Sequence, residues 1–322
     1  MTAAVVSRLG GPEVLALAEL PEPEPAAGQV LVQVRRASVN FADIMARRSG
    51  YLGTTPPFVP GIEVAGTVAA LGEGVSQFEP GQRVYAVPPR GGYAQFVAVD
   101  AARVFAIPDE LDPTTAAAAP FVVSTGYALL HSLGRVQPGD RVLTNAAAGG
   151  VGLVVGQLAQ AAGAHAVGVV STPEKARVAR QHGFAEVVTG GELRAGALAG
   201  RLFDLVLDSV GGEDRAQGWA LLAPFGTLVA YGNASGAPEE PIEPARLRTG
   251  NHRVAGLSVT SLAAEHPDAL AAIVTRAIEL VADGTVRIEV SEVLPLADAA
   301  RAHQLVEGRR STGKIVLAVT EE

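Results

Sequence analysis

The segment Asn145-Ala146-Ala147-Ala148-Gly149-Gly150-Val151-Gly152 lies between the apolar run Arg141–Thr144 and a helical stretch from Leu153 to Ala162. This order of strand, glycine turn and helix start restricts the fold more than any other part of the chain. Small residues let the backbone approach a phosphate, the N–H groups at a helix start donate to it, and the helix dipole favours its negative charge. Ala147 stands where the first glycine of G-x-G-x-x-G would, with Gly149 and Gly152 at the other two places. The pattern predicts a dinucleotide pyrophosphate cradle over Ala148, Gly149, Gly150, Val151 and Gly152. A plain glycine-rich surface turn is the competing reading, and the flanking strand and helix patterns count against it.

From Phe121 onward, strand-like and helical segments alternate. The candidates are Arg141–Thr144, 166–170, 185–188, Phe203–Asp208, 226–231 and 254–259, spaced so that they can pair in parallel. Six such strands make an α/β fold with a doubly wound parallel six-stranded Rossmann sheet. Before about Pro120 the texture differs: short β-like runs such as Val30–Val34 and Val64–Val68 are broken by Pro and Gly turns, as in an irregular β domain. The last segment offers a helix over Pro267–Ala282, a short strand at Ile288-Glu289-Val290, a helix over 296–307 and a strand over 313–317, and these strands are expected to rejoin the first domain.

Charge and composition remove several function classes. The 322 residues carry 25 basic and 33 acidic side chains, a net charge of −8, with no basic cluster, so a nucleic-acid partner is not expected. There is no cysteine, which excludes disulfides and thiolate metal ligands. No apolar stretch reaches the roughly 18 residues a membrane span needs, and a cytoplasmic protein with no membrane partner is expected. The six histidines are scattered without ligand spacing.

The tip of the second strand bears on the choice of nucleotide. An acid there would bind a ribose 2′-hydroxyl and repel a 2′-phosphate. The chain instead reads Val170-Ser171-Thr172-Pro173-Glu174-Lys175, and Lys175 is one of only two lysines, the other being Lys314. Ser171, Thr172 and Lys175 therefore favour NADP(H) over NAD(H). A helix cap at Ser171 or Thr172, with Glu174 completing a Ser-x-x-Glu box, is compatible with the same residues.

Several motifs together carry a family resemblance: the Ala-Ala-Ala-Gly-Gly-Val-Gly turn, Asp208-Ser209-Val210-Gly211-Gly212, Tyr231-Gly232-Asn233, Asn40-Phe41-Ala42-Asp43, Arg48-Ser49-Gly50-Tyr51, Pro60 to Gly66 and Ser124-Thr125-Gly126-Tyr127. The chain resembles the zinc-independent quinone oxidoreductases, the zeta-crystallin-like branch of the medium-chain dehydrogenase/reductase superfamily. The resemblance implies a discontinuous GroES-like β-rich catalytic domain (residues 1–121 and 264–322) and a Rossmann NADP-binding domain (residues 122–263). It puts Asn40, Ile62 and Phe121 at the places of the superfamily's catalytic zinc ligands; isoleucine and phenylalanine cannot ligate a metal, so no metal is expected.

By the same resemblance, Asn40 and Tyr51 face the substrate, Asn40 donating its amide to an acceptor oxygen and Tyr51 donating its hydroxyl or stacking. Thr125, opening a helix, contacts the nicotinamide carboxamide. Ser209, Val210, Gly211, Tyr231, Gly232 and Asn233 stand at the strand ends, the two glycines permitting close approach and Asn233 hydrogen-bonding. Glu63 is implied to be structural and Asp43 to fix a loop. Without a Lewis acid, reduction of a quinone or an α,β-unsaturated carbonyl is the chemistry that one or two hydrogen bonds can support. The expectation is an NADPH-dependent reductase of such a small-molecule electron acceptor, forming a homodimer through its sixth, edge strand. Two alternatives stand beside it. One is an enoyl-thioester reductase using Arg47, Arg48 and Arg90 for a phosphorylated carrier; the other is a non-catalytic NADPH-binding redox-sensing or structural protein.

Overall fold

The computed structural model describes residues 1–320 and divides into two compact units. The second unit, Val122–Val259 with Asp283–Glu289, is built on a six-stranded sheet. Its strands run, across the sheet, Glu186–Thr189, His165–Val170, Arg141–Thr144, Phe203–Asp208, Leu222–Ala230 and Arg253–Gly256, all parallel. Runs such as Val206-Leu207 are buried because helices cover both faces of a parallel sheet, which calls for continuous apolar stretches rather than alternation. Leu143, Val167, Phe203, Val206, Leu228 and Trp219 form part of the core on one side. The fifth strand starts at Leu222, four residues earlier than expected. The sixth ends at Gly256, short of 259, because Val259 already opens the helix Val259–Glu265.

The first unit comprises Met1–Phe121, Thr260–Ala282 and the chain from Val290 onward. Its main sheet runs Val290–Pro295, Lys314–Ala318, Gln29–Ser38, Val64–Leu71, Arg83–Ala86 and Val104–Ala106, and Phe96–Asp100 also pairs with Gln29–Ser38. The late strand Lys314–Ala318 lies antiparallel on Gln29–Ser38, with Val316 opposite Ser38. Val30, Val32, Val34, Val64, Val84, Ile315 and Leu317 meet in its core. The unit boundary falls at Val259 and Thr260 rather than near residue 263. Asp283–Glu289 clusters with the second unit because Gln157 on the helix Gly150–Ala161 clasps Arg287: Arg287 N–H donates to Gln157 Oε1 at 2.9 Å and Gln157 Nε2 donates back to the Arg287 carbonyl at 3.0 Å. The short strand expected at Ile288-Glu289-Val290 runs instead over Val290–Pro295, and the helix expected from 296 begins with a 3-10 turn before settling into Ala299–Glu307.

Among the described residues, no helix is long and apolar enough to cross a membrane.

Candidate active site

Within the second unit, the glycine turn follows the strand Arg141–Thr144 and opens the helix at Gly150, three residues ahead of the expected start. Gly149 is its extended N-cap and contributes no side chain, which leaves the first-turn N–H groups of a 12-residue helix without a capping acceptor. The turn is fixed by Ala147 N–H donating to the Val169 carbonyl at 3.0 Å and by Gly149 N–H donating to the Ala146 carbonyl at 2.9 Å, with Ala146 in the left-handed region at φ 52°. The two fingerprint glycines are small for different reasons. A Cβ on Gly152 would stand 2.5 Å from the Ala146 carbonyl oxygen and 2.6 Å from Ala147 Cα, so the turn itself demands glycine there. A Cβ on Gly149 would meet only the Ala146 oxygen, at 3.3 Å. Space over Gly149 is what a backbone cradle for an anion requires. Ala148 is buried, and Gly150 and Val151 are half-buried at the helix start.

Beside this turn, Asp208 ends the strand Phe203–Asp208 and is completely buried. Its carboxylate accepts from Asn145 Nδ2 at 2.9 Å, from the N–H groups of Val210 and Gly211 at 3.0 and 3.1 Å, and from Arg215 Nε at 2.6 Å. Arg215 also donates to the Gly232 carbonyl at 3.0 Å and pairs with Glu239. One carboxylate therefore joins the ends of two strands to the Ser209–Gly211 turn, and through Arg215 to the Tyr231–Asn233 turn. Asp208 and Arg215 were not among the expected site residues; a buried acid followed seven residues later by arginine is a pair that only the helix turn brings together.

This bonding engages groups of both turns. The Val210 and Gly211 N–H groups are spent on Asp208. Asn233, expected to hydrogen-bond a ligand, donates from Nδ2 to the Ala237 carbonyl at 2.7 Å and accepts from Ser235 Oγ at 3.0 Å. Gly211, at φ 75°, leaves room for the Asn233 side chain, since a Cβ there would lie 2.5 Å from Asn233 Oδ1; on Gly232 it would lie 2.9 Å from the Ser209 carbonyl. Tyr231 N–H donates to the Asp208 carbonyl at 2.9 Å.

Ser171 is exposed just past the strand His165–Val170, and Thr172 is the N-cap of the helix Pro173–Gln181. Glu174 is held below the usual carboxylate range by a hydrogen bond to the Thr172 side chain, so the acid pairs with Thr172 and not with Ser171. Lys175 is half-buried in the first turn of that helix. Thr125 is buried inside the helix Pro120–Tyr127 and does not open it, which removes the capping role.

Within the first unit, Asn40 precedes the helix Phe41–Ser49, and the Asp43 carboxylate reaches back to the Asn40 N–H at 2.9 Å and to Gly61 N–H at 3.0 Å. Asp43 thus ties the Gly61 loop to the helix start. The Asn40 side chain also has two buried partners beyond the helix: Nδ2 donates to Glu63 Oε2 at 2.9 Å and Oδ1 accepts from Lys314 Nζ at 2.7 Å. Lysine only donates and a carboxylate only accepts, so the partners fix which end of the amide is which. Lys314 also donates to Glu63 Oε2 at 3.2 Å, while Glu63 Oε1 accepts Phe121 N–H at 2.9 Å and Tyr85 Oη at 3.4 Å. Glu63 and Tyr85 are fully buried, and Lys314 and Asn40 nearly so. Lys314 brings a charge to the buried start of the apolar strand Lys314–Ala318; the visible signal was that it is one of two lysines in the chain.

A second buried set lies beside it. The Tyr93 hydroxyl stands 3.4 Å from Asp43 Oδ2 and 3.2 Å from His303 Nε2. Burial pushes the Asp43 carboxyl up to about 6, and burial together with the Arg47 charge pushes His303 down to about 3. Arg47 is itself fully buried and pairs with Glu307 at 2.7 Å, so it is not a surface cation that could meet a carrier. Arg48 and Arg90 are exposed. Tyr51 follows Gly50, which ends the helix in the left-handed region at φ 71°, and sits half-buried in a single 3-10 turn.

The residues at the zinc positions do not fit a metal. Asn40 is held by Glu63 and Lys314, Ile62 is a buried hydrocarbon, and the Phe121 side chain has no atom that can ligate a metal. Among the described residues, no three of His, Cys, Asp and Glu stand together as a ligand set.

The family models for the Alcohol dehydrogenase GroES-like domain and for Zinc-binding dehydrogenase match residues 26–109 and 182–317. The chain is 36% identical to a quinone oxidoreductase of Pseudomonas aeruginosa, over 96% of either chain. It is 33% identical to a 2-haloacrylate reductase of a Burkholderia species, over 98% of each. The Escherichia coli quinone oxidoreductase complexed with NADPH superposes with a TM-score of 0.92 at 30% identity, covering 99% of this chain and all of that one.

Proposed function

Because the chain belongs to the quinone oxidoreductase family of the medium-chain dehydrogenase/reductase superfamily, we propose that it is an NADPH-dependent, metal-free reductase of quinones or α,β-unsaturated carbonyls. The observation that carries this reading is the open helix start after the first strand of the parallel sheet, followed at the tip of the next strand by hydroxyls and a lysine in place of an acid. The helix N–H groups from Gly150 to Gly152 take the pyrophosphate, and Ser171, Thr172 and Lys175 take the 2′-phosphate. Ser209–Gly211 and Tyr231–Asn233, locked by Asp208 and Arg215, give the rest of the nucleotide a rigid backbone wall. Thr125 is assigned to the carboxamide.

NADPH held by these residues would supply the hydride, its nicotinamide being oxidised to the NADP⁺ form. The acceptor carbon gains the hydride, and the electron pair displaced from its π-system ends on the carbonyl oxygen, which then takes a proton from solvent or from Tyr51. Asn40 is the donor to that oxygen. A metal is unnecessary where conjugation spreads the charge this way. An enoyl thioester as acceptor loses support with Arg47 sealed in the interior. The reading includes a homodimer joined along Arg253–Gly256, the strand at the end of the sheet.

Titration with NADPH and NADH tests the nucleotide assignment, and Lys175→Ala should weaken NADPH several-fold while leaving NADH unchanged. NADPH oxidation is then followed with a small quinone, an enone and an enoyl thioester. Tight NADPH binding with turnover of none of the three would replace the reductase by a nucleotide-binding protein without chemistry.

A further inference from the structure

The buried Lys314–Asn40–Glu63 triangle is more than the fold needs. Lys314 is the first residue of its strand and is buried, and a buried lysine must be surrounded by acceptors to be tolerated. Lys314 Nζ has three: the Val39 carbonyl at 3.4 Å, Asn40 Oδ1 at 2.7 Å and Glu63 Oε2 at 3.2 Å. The shortest is the neutral amide, not the carboxylate. Glu63 in turn is supplied with neutral donors on both oxygens, besides its ion pair with Lys314.

The consequence falls on Asn40. An amide oxygen that accepts from a cation withdraws electron density from its own nitrogen, and hydrogen bonds in such a chain strengthen one another. One of the two Nδ2 N–H groups goes to Glu63; the other donates to no described residue, and Asn40 keeps 7% of its surface open. With both ends of the amide held, that remaining N–H has a fixed direction, as an oxyanion donor must have to avoid reorganising during reaction.

We infer that Lys314 is a positioning residue which, through Asn40 Oδ1, turns the free Asn40 N–H into a charge-assisted donor for an oxyanion, the quinol or enol oxygen left by hydride addition. A buried ammonium one amide away thereby does part of what a Lewis acid would do, without touching the acceptor. The inference rests on the proposed role of Asn40 as donor to the acceptor oxygen, and its decisive test needs neither NADPH nor turnover.

The probe is 4-nitrophenol, whose phenolate is a stable oxyanion with its own visible absorbance. Titrated against the nucleotide-free protein across pH, the native chain should bind the phenolate about tenfold more tightly than the phenol. Asn40→Ala and Lys314→Met should each abolish that preference, and Lys314→Arg should restore part of it. Lys314→Met strands a buried carboxylate, so Lys314→Met/Glu63→Gln is made alongside, with circular dichroism and thermal unfolding to establish that it folds. In turnover, Lys314→Met/Glu63→Gln should lower kcat about tenfold or more with KM changed less than threefold, because a transition-state contact is lost rather than uniform binding. A native protein with no preference for the phenolate, or a folded Lys314→Met/Glu63→Gln protein that keeps the native preference, overturns the inference. If the preference is present and depends on Lys314 but no acceptor is reduced, the reductase reading fails by itself and the oxyanion site stands.

Discussion

At the scale of single residues, the proposed nucleotide turn separates a glycine the fold requires from one a ligand would require. Gly152 has no room for a methyl group against Ala146 and Ala147, whereas Gly149 has nearly enough. Gly152→Ala should therefore destabilise the fold, by roughly 1–3 kcal/mol as overpacking does, and weaken NADPH binding with it. Gly149→Ala should leave thermal unfolding close to native yet still weaken NADPH. Equal thermal losses in the two variants would contradict the distinction. Sequence spacing could locate both glycines, because the strand and helix flanking them are local patterns. It could not show that the Asn233 amide bonds Ala237 and Ser235, or that Asn40 is gripped by a lysine 274 residues away. Those partners are set by how strands assemble, and no local pattern encodes them.

Among elements, the helices Phe41–Ser49 and Ala299–Glu307 are joined through Asp43, Tyr93 and His303, and the join titrates. Asp43 rises from 3.8 to about 6 on folding, so between those values the folded chain holds a proton that the unfolded chain has lost, and stability falls as pH rises. His303 drops from 6.5 to about 3, so over that range only the unfolded chain is protonated, and stability rises with pH. The two slopes oppose each other from about pH 4 to 6, and below that His303 alone destabilises the fold. His303→Gln should remove the rising slope and expose the other: urea unfolding should show a stability drop of roughly 2–3 kcal/mol between pH 4 and 6, where the native protein is nearly flat. A His303→Gln profile as flat as the native one would exclude Asp43 as the titrating group. The elements themselves were legible where periodicity is strong: Phe203–Asp208 and Pro267–Ala282 have the bounds the sequence suggests. Leu222–Ala230 was legible only from Gly226 on, because the strand is interrupted there, with Phe225 at φ 65° and the pairing register shifting between Phe203 and Leu205.

For the whole molecule, the proposed homodimer has a physical basis at one end of the parallel sheet. Arg253–Gly256 pairs on one side with Leu222–Ala230 and has no strand on the other among the described residues. An open edge of this kind invites pairing. Phe225 stands nearby, 72% exposed and at φ 65°, its N–H donating to the Asn251 carbonyl and its carbonyl accepting from Arg253 Nη2 at 2.7 Å. An aromatic ring held outward in a conformation unfavourable for its type suits a contact with a second copy. Analytical ultracentrifugation at micromolar concentration should find a dimer, and Phe225→Glu should shift it toward monomer; a native chain that sediments as a monomer would remove the proposal.

The strand carrying Lys314 lies against Gln29–Ser38, while every strand of the nucleotide-side sheet falls between Arg141 and Gly256. On the ribosome, that middle sheet emerges whole and can close while the early strands still wait for a neighbour that has not been translated. The chain thus passes through a stage in which its middle sheet is assembled and its early strands form a sheet with an open edge. Chaperone dependence, if the protein has any, belongs to that interval.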